Sequence, residues 1–198
     1  MSENAFEKLI FQILTDYAAI FGFVPDNIEY RFADDMREAY LEIRPDYAIR
    51  AREKLLTADQ YTGLTVPPYD IDGKFYVLLN RAKVLEYIQA DNMTWIGTIA
   101  HETTHVKDFI DFAKLIGAKD FEDITDIRKH LTFQLWTEAN ARAKGYFFVR
   151  KYSFNNMYDE AQIPDILTIQ CQSLRRLECP IPRYANVVNL RMVRGDGR

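Results

Sequence analysis

Apolar side chains recur at helical spacing through residues 5–21, where Phe6, Leu9, Ile10, Ile13, Leu14, Tyr17 and Ala18 share a face. Gly22 and Pro25 close that segment. A period of two follows at residues 27–32 and again at 38–43, predicting two short strands joined by the turn-like Ala33-Asp34-Asp35. Residues 48–56 suit a helix, whereas Pro67-Pro68 cannot belong to one. After a turn at residues 70–73, Phe75, Val77 and Leu79 alternate with Tyr76 and Leu78, which predicts a strand over 74–80. Residues 81–89 read as a helix. A longer one spans about 93–116, with Asp91 or Asn92 to cap it and Gly117 to end it. An acidic connection containing Asp120, Glu122, Asp123 and Asp126 leads to a third long helix, about 127–152, broken by Asn155-Asn156. Pro164 opens one more helix, ending near Glu178, and residues 186–193 suit a strand in a basic tail. The pattern predicts one α+β domain over 1–198: a small, mostly antiparallel sheet packed on helices, with its core at 74–150 and a C-terminal helix and tail at 164–198.

Composition narrows the class. At 198 residues the chain can build one sizeable core, and 12 Tyr with 13 Phe argue against disorder. A net charge of −4 creates no basic field for nucleic acid. No apolar run approaches the roughly 18–20 residues of a membrane span. The first residues, Met-Ser-Glu-Asn, carry no secretory pattern, so the expected location is the cytoplasm. Cys171 and Cys179 are then expected to be reduced thiols.

The long middle helix carries His101-Glu102-Thr103-Thr104-His105. Residues four apart lie on one helical face, so His101 and His105 aim two imidazoles at one point. A tetrahedral Zn2+ takes such nitrogens at about 2.0–2.1 Å. Glu102, rotated to one side, is placed to act as a general base toward water on the open zinc position. The spacing therefore supplies two ligands and a base together.

A third protein ligand is needed. Glu138 lies on the next long helix, which can fold back antiparallel, and Ala141 and Gly145 make that side small enough for close approach. Asp108, on the same helical face as the two histidines, and His130, the remaining histidine, are alternatives. If it is not a ligand, Asp108 is a candidate for orienting an imidazole. Residues 74–80 are the candidate sheet edge for an extended substrate. Arg142, Tyr146 and Tyr152 lie downstream of Glu138 but receive no catalytic assignment. Trp95 and Trp136 fall on apolar faces and are expected in the core.

Phe75-Tyr76-Val77-Leu78-Leu79-Asn80, Thr98-Ile99-Ala100-His101-Glu102 with His105, and Glu138-Ala139-Asn140-Ala141-Arg142-Ala143 together resemble the ImmA/IrrE-type metallopeptidases. These are compact gluzincin-like enzymes of prophages, mobile elements and stress regulation. The resemblance covers under half of the chain. It implies a minimal zincin-like fold, His101, His105 and Glu138 as zinc ligands, and Glu102 as the base. Thr103-Thr104 stands where the family usually has Leu-Gly, and the Met-Pro that often closes the glutamate helix is absent.

The expected activity is hydrolysis of a peptide bond by zinc-activated water, with a peptide or protein as substrate. Two rivals follow from the same residues: a non-catalytic zinc domain serving structure or interaction, and a hydrolase acting on another amide or ester. A closed structural site would have four protein ligands, whereas a catalytic one keeps a position open.

Overall fold

A computed structural model describes residues 3–22, 26–46 and 57–153. The helix and strand expected at 164–178 and 186–193, both cysteines and the helix expected at 48–56 lie outside the described residues.

Helix α1 (Glu3–Phe21) buries Ile13 and Tyr17 at i and i+4. Strand β1 (Ile28–Ala33) follows. Residues 38–43, expected to be a strand, instead belong to α2 (Met36–Ile43). Asp35 accepts a hydrogen bond from the Glu38 amide, capping this helix, and Met36 and Tyr40 are buried one turn apart. Met36, Ala39, Tyr40 and Ile43 have the i, i+3, i+4, i+7 spacing of a helix. That spacing and its cap outweigh the short alternation. These side chains join Ala33, Ala58, Leu64, Val66 and Leu78 in a core on one side of the sheet.

A short 3₁₀ turn (Ala58–Gln60) precedes β2 (Gly63–Val66), which a turn through Asp70–Gly73 connects to β3 (Phe75–Asn80). The sheet order is β1-β3-β2. β3 pairs in parallel with β1, from Ile28↔Phe75 to Ala33↔Asn80, and antiparallel with β2, from Gly63↔Leu79 to Val66↔Tyr76. The sheet is therefore mixed rather than mostly antiparallel: α2 carries the chain to β2, which runs opposite to β1, and the β2–β3 hairpin then turns it back into β3 in the direction of β1. Residues 74–80 do not form the edge; β3 is central. Its run of apolar side chains on both faces, with Phe75, Val77, Leu78 and Leu79 all buried, marks an inner strand. In the described sheet the edge beside the long helices is β2.

Asn80 ends β3 and caps α3 (Arg81–Gln89) through the Lys83 amide. The Asn92 side chain accepts from the Thr94 amide at the start of α4 (Thr94–Ile116), which Gly117 terminates at φ 65°. Helix α5 (Phe121–Thr125), capped by Asp120, leads to α6 (Ile127–Ser153), which is kinked at His130. α4 and α6 run antiparallel, as the partners Gly97–Gly145, His105–Thr137 and Phe112–Phe133 require. They approach so closely that a Cβ added to either Gly97 or Gly145 would lie 2.8 Å from the other's carbonyl oxygen. Trp95 is buried as expected, whereas Trp136 is only half-buried, stacked on Phe133. No helix among the described residues is long and apolar enough to cross a membrane.

Candidate metal centre

The close crossing of α4 and α6 brings His101, His105 and Glu138 together. The two Nε2 atoms are 3.0 Å apart. Glu138 Oε1 is 3.5 Å from His105 Nε2, and Oε2 is 4.0 Å from His101 Nε2. A tetrahedral ion with bonds of 2.0–2.1 Å holds its donors about 3.3–3.4 Å apart, so the three fit a metal of zinc's size and donor preference. Among the described residues the group has these three members and could hold a metal ion. One tetrahedral corner would remain open.

The alternatives for the third position point elsewhere. Asp108 is buried and accepts hydrogen bonds from Thr137 Oγ1 (2.8 Å) and from Asn140 Nδ2 on both oxygens (3.0 and 2.9 Å). His130 packs its ring edge-on to Phe112, with Nε2 3.6 Å from Asp123 Oδ2.

Glu102 is buried beside the cluster but outside it. The Thr65 hydroxyl donates to its Oε2 at 2.7 Å, while Oε1 faces His101 Nε2 at 4.0 Å. Gly63 on the same strand leaves room for this side chain: a Cβ there would meet Glu102 Cγ at 3.0 Å. The base candidate is thus held between the motif helix and β2.

Each of the four residues from Glu102 to His105 receives a hydroxyl contact from a different element. Besides Thr65 on Glu102, Tyr30 of β1 reaches Thr103 Oγ1 (2.6 Å) and Tyr17 of α1 reaches Thr104 Oγ1 (2.8 Å). Thr103 and Thr104 donate to the carbonyls of Ile99 and Ala100, so the tyrosines are the donors in those pairs. Thr137 of α6 lies 3.0 Å from His105 Nδ1. Sequence reasoning noticed the two threonines only as a departure from a family pattern. Nothing local signals that they are buried or that two tyrosines distant in the chain would meet them.

The charges are strongly coupled. The hydrogen-bonded His105 holds the Glu138 carboxyl down to about 2, although partial burial opposes it. Burial disfavours the His105 cation, but the Glu138, Glu102 and Asp108 carboxylates outweigh it and raise the imidazole above its ordinary value. At His101 burial prevails and lowers it. Burial likewise raises Asp108, against the pull of Lys144 and its hydrogen-bond donors.

Of the other downstream candidates, Arg142 is exposed, with Nε 3.6 Å from Glu138 Oε2. Tyr146 is 57% exposed, and Tyr152 donates to Asp16 on α1 at 2.8 Å.

No family model, curated protein or solved structure matches the chain.

Proposed function

We propose that the protein is a zinc-dependent peptidase of minimal zincin-like type, related to the ImmA/IrrE-type enzymes. The observation that carries this reading is a three-donor cluster with a buried carboxylate beside it that is not one of the donors. A structural zinc site has no use for such a carboxylate and is normally closed by a fourth ligand.

His101, His105 and Glu138 would hold the ion, which when bound supplies a Lewis acid and acidifies water. Glu102 accepts a proton from the attacking water at Oε1, because Thr65 occupies Oε2. The same carboxyl then returns the proton to the departing amine. β2, rather than β3, is the strand beside which an extended peptide would pair, since it borders Glu102 through Thr65 and Gly63.

The test begins with metal content. The purified protein is expected to hold close to one zinc per chain and to lose it to chelator; absence of stoichiometric zinc would remove the metal-centre reading. Glu102→Gln is then expected to fold and bind zinc as the parent does. Cleavage of a peptide library or host-cell extract, read by mass spectrometry, should fall roughly 10²–10⁴-fold. Equal cleavage by both proteins would deny Glu102 the role of base.

A further inference from the structure

Asp108 and Thr137 form a buried relay behind His105, and its direction is set by which groups can only accept. Asp108 faces three donor contacts, one from the Thr137 hydroxyl and two from the Asn140 amide. A carboxylate receiving these bonds accepts only. The Thr137 proton is therefore committed to Asp108 at 2.8 Å. The Thr137 oxygen is left with lone pairs toward His105 Nδ1, 3.0 Å away. A contact of that length is a hydrogen bond only if Nδ1 carries the hydrogen. In the neutral imidazole Nε2 then bears the lone pair, on the side of His101 Nε2 and Glu138.

We infer that Thr137, backed by Asp108 and Asn140, is a positioning residue that locks His105 in its Nδ1–H tautomer and preorganises Nε2 as a ligand for a divalent metal. This rests on the metal-centre reading for its purpose, but the tautomer belongs to the metal-free protein as well. Two further observations support it. All three members are held between α4 and α6, where Asp108 and Thr137 are 4% and 1% exposed, so water does not substitute for the hydroxyl. The Phe109 ring also lies near-parallel to the His105 imidazole, with centroids 5.9 Å apart at 24°, and covers it on one side. The relay makes Asp108 matter to the metal without touching it. Partners at this remove typically change metal affinity by about 10–100-fold.

The experiment compares the full chain with Thr137→Val and Thr137→Ser. Val keeps the shape and removes the hydroxyl, and Ser restores it. Competitive zinc titration should show Thr137→Val weakened about 10–100-fold and Thr137→Ser close to the parent. Parent-like affinity in Thr137→Val, or equal weakening in both variants, would overturn the relay, the second because packing and not the hydroxyl would be responsible. Long-range ¹H–¹⁵N correlation spectra of the metal-free parent, recorded where the imidazole is neutral, provide a readout independent of zinc and of the variants' folding. His105 should show a protonated Nδ1 and a bare Nε2, and the opposite tautomer would sink the inference. A parent that binds no zinc yet shows the Nδ1–H tautomer would retain the relay and remove the metal function.

Discussion

At the scale of single residues, the centre depends on where each carboxylate points. Glu138 is half-exposed at its side chain yet bonded to His105, while Asp108 is buried and turned to Thr137 and Asn140. Replacing Glu138 by Ala removes one of the three candidate donors and would leave two imidazoles to hold an ion. Zinc affinity should collapse, by more than the about 10–100-fold expected for Asp108→Ala. Competitive titration of both variants ranks them, and a larger loss in Asp108→Ala would place the third ligand on α4. His101→Ala and His105→Ala are expected to abolish binding altogether. Of these residues, the two histidines and Glu102 are legible from spacing alone, since one helical turn fixes their relation. Glu138 needs the further premise that a neighbouring helix returns antiparallel. Thr65, Thr137, Tyr17 and Tyr30 are not legible, because a hydroxyl's partner is set by packing and has no periodicity in the chain.

At the scale of elements, the decisive contact is the crossing of α4 and α6. Gly97 and Gly145 let two backbones meet, and the donors lie one to two turns from that crossing. Gly145→Ala would put a methyl 2.8 Å from the Gly97 carbonyl oxygen and 3.3 Å from His101 Cβ. Neither neighbour is a flexible side-chain end, so the helices must separate. Alanine's better helix propensity, about 1 kcal/mol, offsets part of an overpacking cost of about 1–3 kcal/mol. Denaturant unfolding should show a net loss of stability, and zinc affinity should fall because Glu138 withdraws from the histidines. Unchanged affinity would mean that the crossing does not set the donor distances. The expectation of small residues opposite the motif helix holds at Ala141 and Gly145, both buried. By contrast, α2 shows where pattern reading fails. Over six residues alternation and helical spacing overlap, and the cap at Asp35 settles the matter.

For the molecule as a whole, a zinc ion held at the site would couple it to stability. A ligand that binds only the folded chain stabilises it by about 2.7 kcal/mol at a concentration one hundred times Kd. Chelation should therefore lower Tm, and the increment should depend on pH. Both imidazoles must be neutral to bind. His105 has a raised pKa, so protons would begin to compete with a bound zinc above the ordinary histidine value of about 6.5. Glu138, held at about 2, remains ionised throughout that range. In the metal-free protein the two histidines act in opposite senses. His105, raised, contributes stability that is present in mild acid and lost as pH rises through its folded pKa. His101, lowered, contributes stability that is lost as pH falls below the unfolded value. The two losses fall on opposite sides of about 6.5, whereas the increment expected from zinc falls in one direction only, as pH is lowered. Thermal scans with and without zinc should show the increment shrinking steadily from mildly alkaline to mildly acid pH. An increment independent of pH across this range would exclude histidine ligation.

Long periodic segments and the spacing of the motif were determined by the sequence itself. Helices α1, α4 and α6 each run for many turns, so their pattern is redundant, and His101, Glu102 and His105 are related by the geometry of one turn. Tertiary structure alone decided the rest. β3 became central and β2 took the edge, because strand order depends on how the crossover and hairpin connect, which no alternation encodes. The same packing brought Thr65 to Glu102 and placed Thr137 between His105 and Asp108. A hydrogen bond between residues 32 or 37 positions apart exists only once two helices and a strand have closed on one another.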